Sequence, residues 1–572
     1  MKTTNRTSLN PTRLLVVGGS AAGPKAAARA RRLDEHAEIT ILQKSPDLSM
    51  ASCGYPYYVG KTFDDRNMLL CTPTGVVRDP AFYLAAKGIV ARTNTEVVQI
   101  DREDRYVLAR DVVSGEEQRL PYDKLVLATG AKARRPPIAN LELRGITTLQ
   151  SMQDADYLRQ IADKGHVKRA VIVGGGLIGI ETCEALRLAG IEVAIVERLP
   201  QLLPFLDWQL ARLVENHVRQ RGVTVFTDCA VASCRGEDGV VKSVELADGT
   251  EIECQLVVLA IGVAPNVELA QRAGLKLGAN GGIAVDDYMM TSDPNIFAAG
   301  DCVECRHLLT GQTVHAPYGD LANLQGRVAG ENAILGPRAK FHGTFQTGIC
   351  KIFDYSAGST GLSADRARAS GHREVVTVVN ASPDKPAFMG SGLLVTKLVA
   401  DGETGTILGA QCVGTGDVSK QIAIWATALK GRLTVQDMVD ADLPYAPPFS
   451  LAIDHSIASA HIMQNKLDGR MRGVGAPELQ RRLEAGERPF LLDLRGPDEY
   501  EQMRLGVGER LIPLGALRQR LDELPAKGDE IICFCKISLR GYEAARILSG
   551  LGWTNVSVLE GGIVSWPYPR EK

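Results

Sequence analysis

Neither sign of charge prevails in this chain: 65 basic side chains stand against 67 acidic ones, a net charge of −2 over 572 residues. Without a global field of one sign, nucleic acid and anionic membranes are excluded as electrostatic partners. Long apolar runs are missing too. No stretch approaches the roughly 20 residues that cross a bilayer, and the opening MKTTNRTSLNPT lacks the apolar core that directs secretion. The expectation is a cytoplasmic protein with no membrane partner, in which thiols stay reduced unless redox chemistry is their task. The 12 cysteines are too sparse for a disulfide scaffold, and 58 glycines with 27 prolines are too few for collagen-like or low-complexity sequence. Nor do the 9 histidines fall at metal-ligand spacing. Cys302 and Cys305 form one C-x-x-C without a second pair nearby, whereas zinc needs four converging ligands, so no metal is expected.

What is present is a chain long enough for about four domains at roughly 150 residues each. Arg13 to Val17 reads as a buried strand that enters a Gly-rich turn, with Gly18, Ser20 and Gly23 at three spaced positions. An Ala- and Arg-rich helix and a second strand, Glu38 to Leu42, follow. This is the strand–helix–strand plan of a dinucleotide fold, where backbone amides at a helix N-terminus cradle a pyrophosphate. Ser replaces the middle Gly, and Gln43 replaces the acid that would hold a ribose hydroxyl. A second turn repeats the plan with Gly174, Gly176 and Gly179, ending its next strand at Glu197. A carboxylate there accepts both ribose hydroxyls of NADH and repels the extra phosphate of NADPH. Arg198 beside it leaves NADPH as the alternative. Two such turns imply two nucleotides. Tyr122 to Gly130, Leu256 to Pro265 and Thr291 to Asp301 read as further strands ending in tight turns.

These motifs resemble the pyridine nucleotide–disulfide oxidoreductases over roughly residues 13–466. The resemblance implies an α/β protein with two Rossmann-like domains, an α+β dimerisation domain and homodimers. The expected boundaries are 12–150 with 264–335 for FAD, 151–263 for NAD(P)H, and 341–466 for dimerisation. It also implies FAD contacts at Gln43, Lys44, Val97, Ala128, Thr129, Gly130, Gly300 and Asp301, and nicotinamide-nucleotide contacts at Ile178, Glu181 and Gly262.

The chemistry turns on Ser49 to Tyr58, which carries Cys53 alone where glutathione-reductase-type relatives carry two cysteines. A lone Cys over a flavin at a helix N-terminus is expected to have a lowered pKa and to react as the thiolate. It then accepts sulfur, thiol or oxygen and needs two electrons for release. The single-cysteine subgroup includes NADH oxidases and peroxidases, coenzyme A-disulfide reductases and persulfide reductases. Peroxidase-type members carry a His where this chain has Ala21. Coenzyme A-type members hold the thiol's nucleotide tail with Arg and Ser; Arg32 and Ser49 match, Lys25, Arg29 and Ser52 are polar neighbours, and Asn323 occupies another expected contact. A Lys expected eight residues after Tyr445 is Ile453. Tyr445 resembles the phenol that reaches over from the second subunit to protonate a departing thiolate. The usual Tyr-Tyr-Pro segment reads Lys385-Pro-Ala-Phe-Met389 here.

Past a basic, Gly-containing linker, Phe490 to Tyr500 reads as a strand and helix start, and Glu530 to Gly541 as a strand, a loop and a helix start. The loop from Cys535 to Arg540 makes a nest of amides, with Arg adding charge, that stabilises a thiolate or persulfide. Cys533 falls on the opposite strand face and reads as core. This segment resembles a rhodanese domain over 475–570, with Cys535 as sulfur carrier. The expected activity is NAD(P)H-driven, FAD-dependent reduction of a persulfide, polysulfide or coenzyme A disulfide at Cys53. Cys535 would handle the sulfane sulfur, and the fusion would raise its effective concentration. A plain coenzyme A-disulfide reductase or NADH oxidase is the alternative within the enzymes, and a sulfur-relay or redox-sensing protein the alternative outside them.

Overall fold

The computed structural model describes residues 11–572. They fall into two compact units: one runs to Arg198 and resumes over Cys229–Thr344, the other takes Leu199–Asp228 and Phe345–Lys572.

In the first unit the apolar run Arg13–Val17 is a strand buried along nearly its whole length, as a central parallel strand must be. It pairs in parallel with Glu38–Leu42 on one side and Lys124–Leu127 on the other. Val90–Arg92 and Ile296–Ala298 complete a five-stranded sheet. Because the strand order reverses at Arg13–Val17, a crevice opens beyond its C-terminal end, where ligands of such sheets bind. Above the sheet, helix Ala22–Leu33 packs on helix Gly319–Leu335. A β-carbon at Gly326 would stand 2.3 Å from the Ala22 carbonyl oxygen, and one at Gly330 2.2 Å from that of Ala26. Two glycines one helical turn apart, facing alanines, are thus what lets the helices approach this closely.

A second parallel sheet repeats the plan, with Arg169–Val173 between Glu192–Val196 and Leu256–Leu259, and Ile146–Thr147 beyond. Each parallel sheet is accompanied by an antiparallel three-stranded one, Thr95–Asp101 to Glu117–Pro121 and Val231–Glu237 to Glu251–Glu253.

The second unit joins two sheets of different kind. Five antiparallel strands from Gly348–Ile352 to Leu393–Asp401 and Ile407–Gly414 carry helices Val418–Gly431 and His455–Leu467. The carboxy-terminal sheet is parallel, in the order Gly473–Val474, Val556–Leu559, Ile531–Phe534, Phe490–Asp493, Arg510–Leu511. Leu199–Asp228 falls within the range read as the NAD(P)H domain, yet clusters here because helix Trp208–Gln220 is bonded into this unit. The Gln209 side chain donates to the Ser565 carbonyl at 3.1 Å, Asn216 to that of Pro567 at 3.0 Å, and Lys397 pairs with Asp207 at 2.5 Å.

Candidate functional site

The two Gly-rich turns are built alike. Gly18 has φ +109°, and a β-carbon on it would lie 2.0 Å from the Ala128 carbonyl oxygen; Gly174 has φ +111° and meets Ala260 at 2.4 Å. Gly23 and Gly179 close against the carbonyls of Gly18 and Gly174 in the same way. The residue ending each second strand holds the turn: the Gly19 amide donates to Gln43 Oε1 at 2.7 Å, and the Gly175 amide to Glu197 Oε2 at 2.7 Å. Gln43 therefore does locally what a carboxylate would do, while its own amide nitrogen donates to Ser45. In this arrangement its polar atoms serve the turn before any ribose.

Around the first crevice, Thr129 and Asn266 exchange two bonds, and Gly130 O accepts from the Asn266 amide. The Gly300 amide donates to buried Gln325 at 2.8 Å. Asp301 is half-buried, and burial pushes its carboxyl up, opposed by His315. No hydrogen bond reaches that carboxylate among the described residues, so it suits the hydroxyls of a sugar-like chain. With the cradle at Gly18, these residues fit a flavin dinucleotide. Ser20 is half-buried in the turn, Val97 lies in the apolar core, and Lys44 pairs with Glu96 on the surface at 2.9 Å. In the second turn, Gly176 is the N-cap of helix Leu177–Leu188, Ile178 is half-buried and Gly262 is exposed, with φ +93°.

Cys53 sits in the short 3-10 turn Ser52–Gly54, exposed, just ahead of helix Tyr55–Val59. Its sulfur lies at the N-terminus of helix Gly319–Leu335, 3.7 Å from where a β-carbon of Gly319 would be. The expectation of a lowered thiol pKa is corrected here. The surrounding protein pushes the thiol up by desolvation, and the charges of Glu181, Asp301 and Asp320 add to it. Desolvation, which disfavours the thiolate, is the larger cause, and the three carboxylates reinforce it by like-charge repulsion.

The candidate thiol contacts divide. Ser52 is exposed beside Cys53, Lys25 is half-buried, Arg32 is exposed, and Asn323 donates to the Gly319 carbonyl at 2.8 Å, one turn along the helix that meets Cys53. Ser49, by contrast, is buried with φ +52°, and its hydroxyl is bonded to Tyr83. Arg29 is paired with Glu331 at 2.5 Å, fastening the two packed helices. Arg31, on the same basic helix, binds five backbone carbonyls, including those of Lys87 and Ala37. Part of that basic face therefore serves structure.

In the second unit Cys535 follows strand Ile531–Phe534 and is 1% exposed. The amide of Ile563 donates to its carbonyl at 3.0 Å, and that of Val564 to Lys536 at 3.2 Å, bracing the loop from behind. Ser538 adopts φ +76°, a strained value for a residue with a side chain, and its hydroxyl donates to the Leu559 carbonyl at 2.7 Å. Helix Leu539–Gly550 starts there. Arg540 grips Glu499 through both terminal nitrogens, at 2.7 and 2.8 Å, and its charge interacts with Cys535. Glu499 is held down to about 2 by that guanidinium. Beneath it, Asp493 and Arg495 form a fully buried ion pair at 2.7 Å. Cys533 is buried in the core, as its strand face requires. Tyr445 is 55% exposed in the segment before Ser450.

Sequence reasoning overlooked Gln325, Asn266, Glu331, Glu499 and Tyr57. Only Glu499 had a signal, in the polar turn after Phe490–Asp493; Gln325 meets its partner 25 residues away, and Asn266 and Glu331 meet theirs across more than a hundred.

Two nucleotide cradles meeting at a lone cysteine define a flavin-linked dinucleotide oxidoreductase. The chain belongs to the pyridine nucleotide-disulphide oxidoreductases: that family's model matches residues 12–319, its dimerisation domain 347–457, and a rhodanese-like domain 475–567. It is an oxidoreductase, and the family's cofactors are FAD and NAD(P)H. Among particular relatives, it is 33% identical to the NAD(P)H coenzyme A polysulfide/persulfide reductase of Pyrococcus horikoshii, covering 79% of this chain and 98% of that one. An NADH oxidase of Methanocaldococcus jannaschii is 31% identical, covering 80% and 100%. Of solved structures, the NAD-dependent persulfide reductase from A. fulgidus matches at 40% identity with TM-score 0.92, covering 97% of this chain and 100% of that one.

Proposed function

We propose that this protein reduces a persulfide, polysulfide or coenzyme A disulfide with NAD(P)H, with Cys53 as the redox sulfur and Cys535 as the carrier of sulfane sulfur. The observation that carries the reading is the coexistence of two sulfur sites in one chain: Cys53 exposed at a helix N-terminus beside the flavin cradle, and Cys535 in a nest completed by Arg540. The likeness to proteins named persulfide reductases supports it, and one of the matched structures, a CoADR-RHD of Bacillus anthracis, covers 97% of this chain at 33% identity.

The reaction balances as RSSH + NADH + H⁺ → RSH + H₂S + NAD⁺. FAD, when bound, would supply two-electron transfer between the nicotinamide and the redox sulfur. Asp301 and the Gly18 turn bind that cofactor, and the Gly174 turn with Glu197 binds the pyridine nucleotide, with NADH favoured. Cys53 receives the sulfur. Arg540 and the loop amides steady the anion on Cys535, and Glu499 fixes Arg540. Lys25, Arg32, Ser52 and Asn323 are the surface offered to a thiol such as coenzyme A. The family's dimerisation domain supports a homodimer in which Tyr445 serves the partner's Cys53. No helix among the described residues is long and apolar enough to cross a membrane, which accords with a cytoplasmic enzyme.

The test is sulfide release and NADH oxidation with coenzyme A persulfide, coenzyme A disulfide and dioxygen as separate acceptors, in wild type and Cys53→Ser. Persulfide turnover that outruns the other acceptors and vanishes in the variant supports the reading. Dioxygen outrunning both sulfur substrates overturns it in favour of an oxidase.

A further inference from the structure

Reducing a persulfide on Cys53 breaks its S–S bond with two electrons and one proton: Cys53–S–SH + 2e⁻ + H⁺ → Cys53–S⁻ + H₂S. The electrons come from NAD(P)H, but the proton needs a group that holds one at neutral pH close to the sulfur. Such a group stands in the second nucleotide turn. Helix Leu177–Leu188, whose start forms that turn, packs against helix Tyr55–Val59, the segment directly after Cys53. The approach is close: a β-carbon on Gly60 would lie 3.0 Å from Ala185 Cα. This brings Glu181, in the second turn of the longer helix and half-buried, toward the Tyr57 side chain, which acts on the carboxyl and favours its ionised form. The charge of Glu181 also acts on Cys53 more strongly than that of Asp301 or Asp320.

We propose that Glu181, acting through Tyr57, is the proton store of the Cys53 site: it carries a proton in the resting enzyme and yields it to the sulfur that departs when a Cys53 persulfide is reduced. The placement makes it a positioning residue for protons rather than only a contact for the nicotinamide nucleotide, the role the Gly-rich motif alone implies. The electrostatics accord with the geometry. Burial and the charge of Glu184 raise the Glu181 carboxyl to about 7, with Tyr57 opposing. The groups that act on it are Glu184 on its own helix and Tyr57 from the packed helix; Cys53, ahead of that helix, is acted on by Glu181, Asp301 and Asp320. A protonated Glu181 also removes one of the three carboxylates that hold the Cys53 thiol up. Giving the proton away restores that charge after sulfide has left, which favours reprotonation of Cys53 from solvent and resets the site.

The inference rests on Cys53 being the redox sulfur, and its test separates the two. Flavin-loaded wild type, Glu181→Gln, Glu181→Asp and Tyr57→Phe are compared by two readouts. The first is the pH midpoint of Cys53 alkylation by iodoacetamide, read by mass analysis of its peptide. Removing a like charge in Glu181→Gln lowers that midpoint by about half a pH unit or more. The second is kcat for persulfide reduction against pH. In wild type the rate falls as pH rises through about 7, because the carboxyl loses the proton it must donate. Glu181→Gln abolishes that limb and lowers kcat near pH 6 on the order of 100-fold, and Glu181→Asp restores most of both. Tyr57→Phe removes a hydroxyl that favours the ionised carboxyl, so the limb moves to higher pH while kcat drops. A rise in KM for NADH with the alkylation midpoint and alkaline limb unchanged would make Glu181 a nucleotide contact and end the proposal. Persulfide reduction surviving in Cys53→Ser would instead bring down the functional reading on which it stands.

Discussion

The two sulfur sites of this chain present their thiols in opposite ways. Cys53 is exposed, sits on a three-residue 3-10 turn, and has carboxylates for neighbours that push its thiol up. Cys535 is buried at the end of a core strand, with the charge of a guanidinium acting on it and a loop braced from behind by Ile563 and Val564. The difference matches two tasks. A sulfur that must give up its cargo on reduction gains from surroundings that favour the protonated thiol and supply protons. A sulfur that must hold its cargo as an anion until a partner takes it gains from a positive charge and a rigid nest. The same chemistry, an S–S bond made and broken, is thus poised for release at one site and for retention at the other.

The sharpest way to break this comparison is to remove each sulfur in turn. Cys53→Ser is expected to lower NADH-dependent persulfide reduction on the order of 10³-fold or more, the scale of losing a nucleophile. Sulfur transfer from thiosulfate to cyanide should remain at the wild-type rate. Cys535→Ser should do the reverse when coenzyme A persulfide is supplied ready-made. Steady-state assays of both activities on both variants decide it; if either variant loses both activities, the division of labour is wrong.

The second expected effect is on stability, and again on one site only. Asp493 and Arg495 lie 0% and 3% exposed by side chain, under the Cys535 loop. Asp493→Ala leaves a buried guanidinium without its carboxylate, which costs about 3–5 kcal/mol. Denaturant unfolding followed through Trp553 and Trp566 should show the carboxy-terminal sheet melting early, while flavin fluorescence reports the other unit unchanged.

How much of this was legible in the sequence follows from how local each determinant is. The two Gly-rich turns, Cys53 and the loop from Cys535 to Arg540 are contiguous; the turns were read from their spacing and the loop as a nest of amides, while the roles of Cys53 and Cys535 came through the family resemblances. The antiparallel sheet between them was placed only through the family resemblance. Its strands pair across long separations, as Tyr355–Gly361 does with Ile407–Gly414, and short apolar runs do not specify partners. At the sites themselves, charge was the weak point. The thiol of Cys53 was expected to be lowered by a helix terminus, but the carboxylates that raise it lie at positions 181, 301 and 320, far apart in sequence. Ser49 was expected at a position of coenzyme A-type members and Arg29 as a polar neighbour; in the structure their side chains are bonded to Tyr83 and Glu331. A motif shows which residues are near one another in sequence; it does not show which are already bonded.

The nucleotide turns allow a third and smaller test that should touch the Cys53 site and leave Cys535 alone. Glu197 and Gln43 hold equivalent turn amides at equal distance, 2.7 Å, so the two differ only in charge. Glu197→Gln keeps the turn but removes the negative charge that repels the phosphate of NADPH. The ratio of kcat/KM for NADPH over NADH should rise about tenfold, about 1.4 kcal/mol. Gln43→Glu, which adds charge where the turn is already satisfied, should leave that ratio unchanged. Sulfur transfer by Cys535 should be the same in both variants.

The smallest expected effect is at Glu499, and it asks whether the guanidinium beside Cys535 works by charge or by position. The Glu499 carboxyl falls from 4.5 to about 2 on folding because Arg540 binds it through two nitrogens, with the Gly496 amide and Arg495 assisting. A carboxyl that is depressed in the folded state stabilises that state fully above its unfolded value. The contribution is lost as pH falls from about 4.5 toward 2. The pair is partly exposed, so solvent screens it and the stability change is small. Its effect on Arg540 is larger, because without the carboxylate the side chain is free to leave Cys535. Glu499→Gln should therefore lower sulfur transfer about threefold to tenfold at pH 7, in proportion to the time Arg540 spends away from the sulfur. The loop's acid sensitivity between pH 4.5 and 2, followed by Trp fluorescence, should flatten at the same time. Were bare charge sufficient, the variant would transfer sulfur faster than wild type, since Arg540 would no longer share its charge with a carboxylate. The direction of that change distinguishes a nest that retains persulfide by fixed geometry from one that retains it by potential alone.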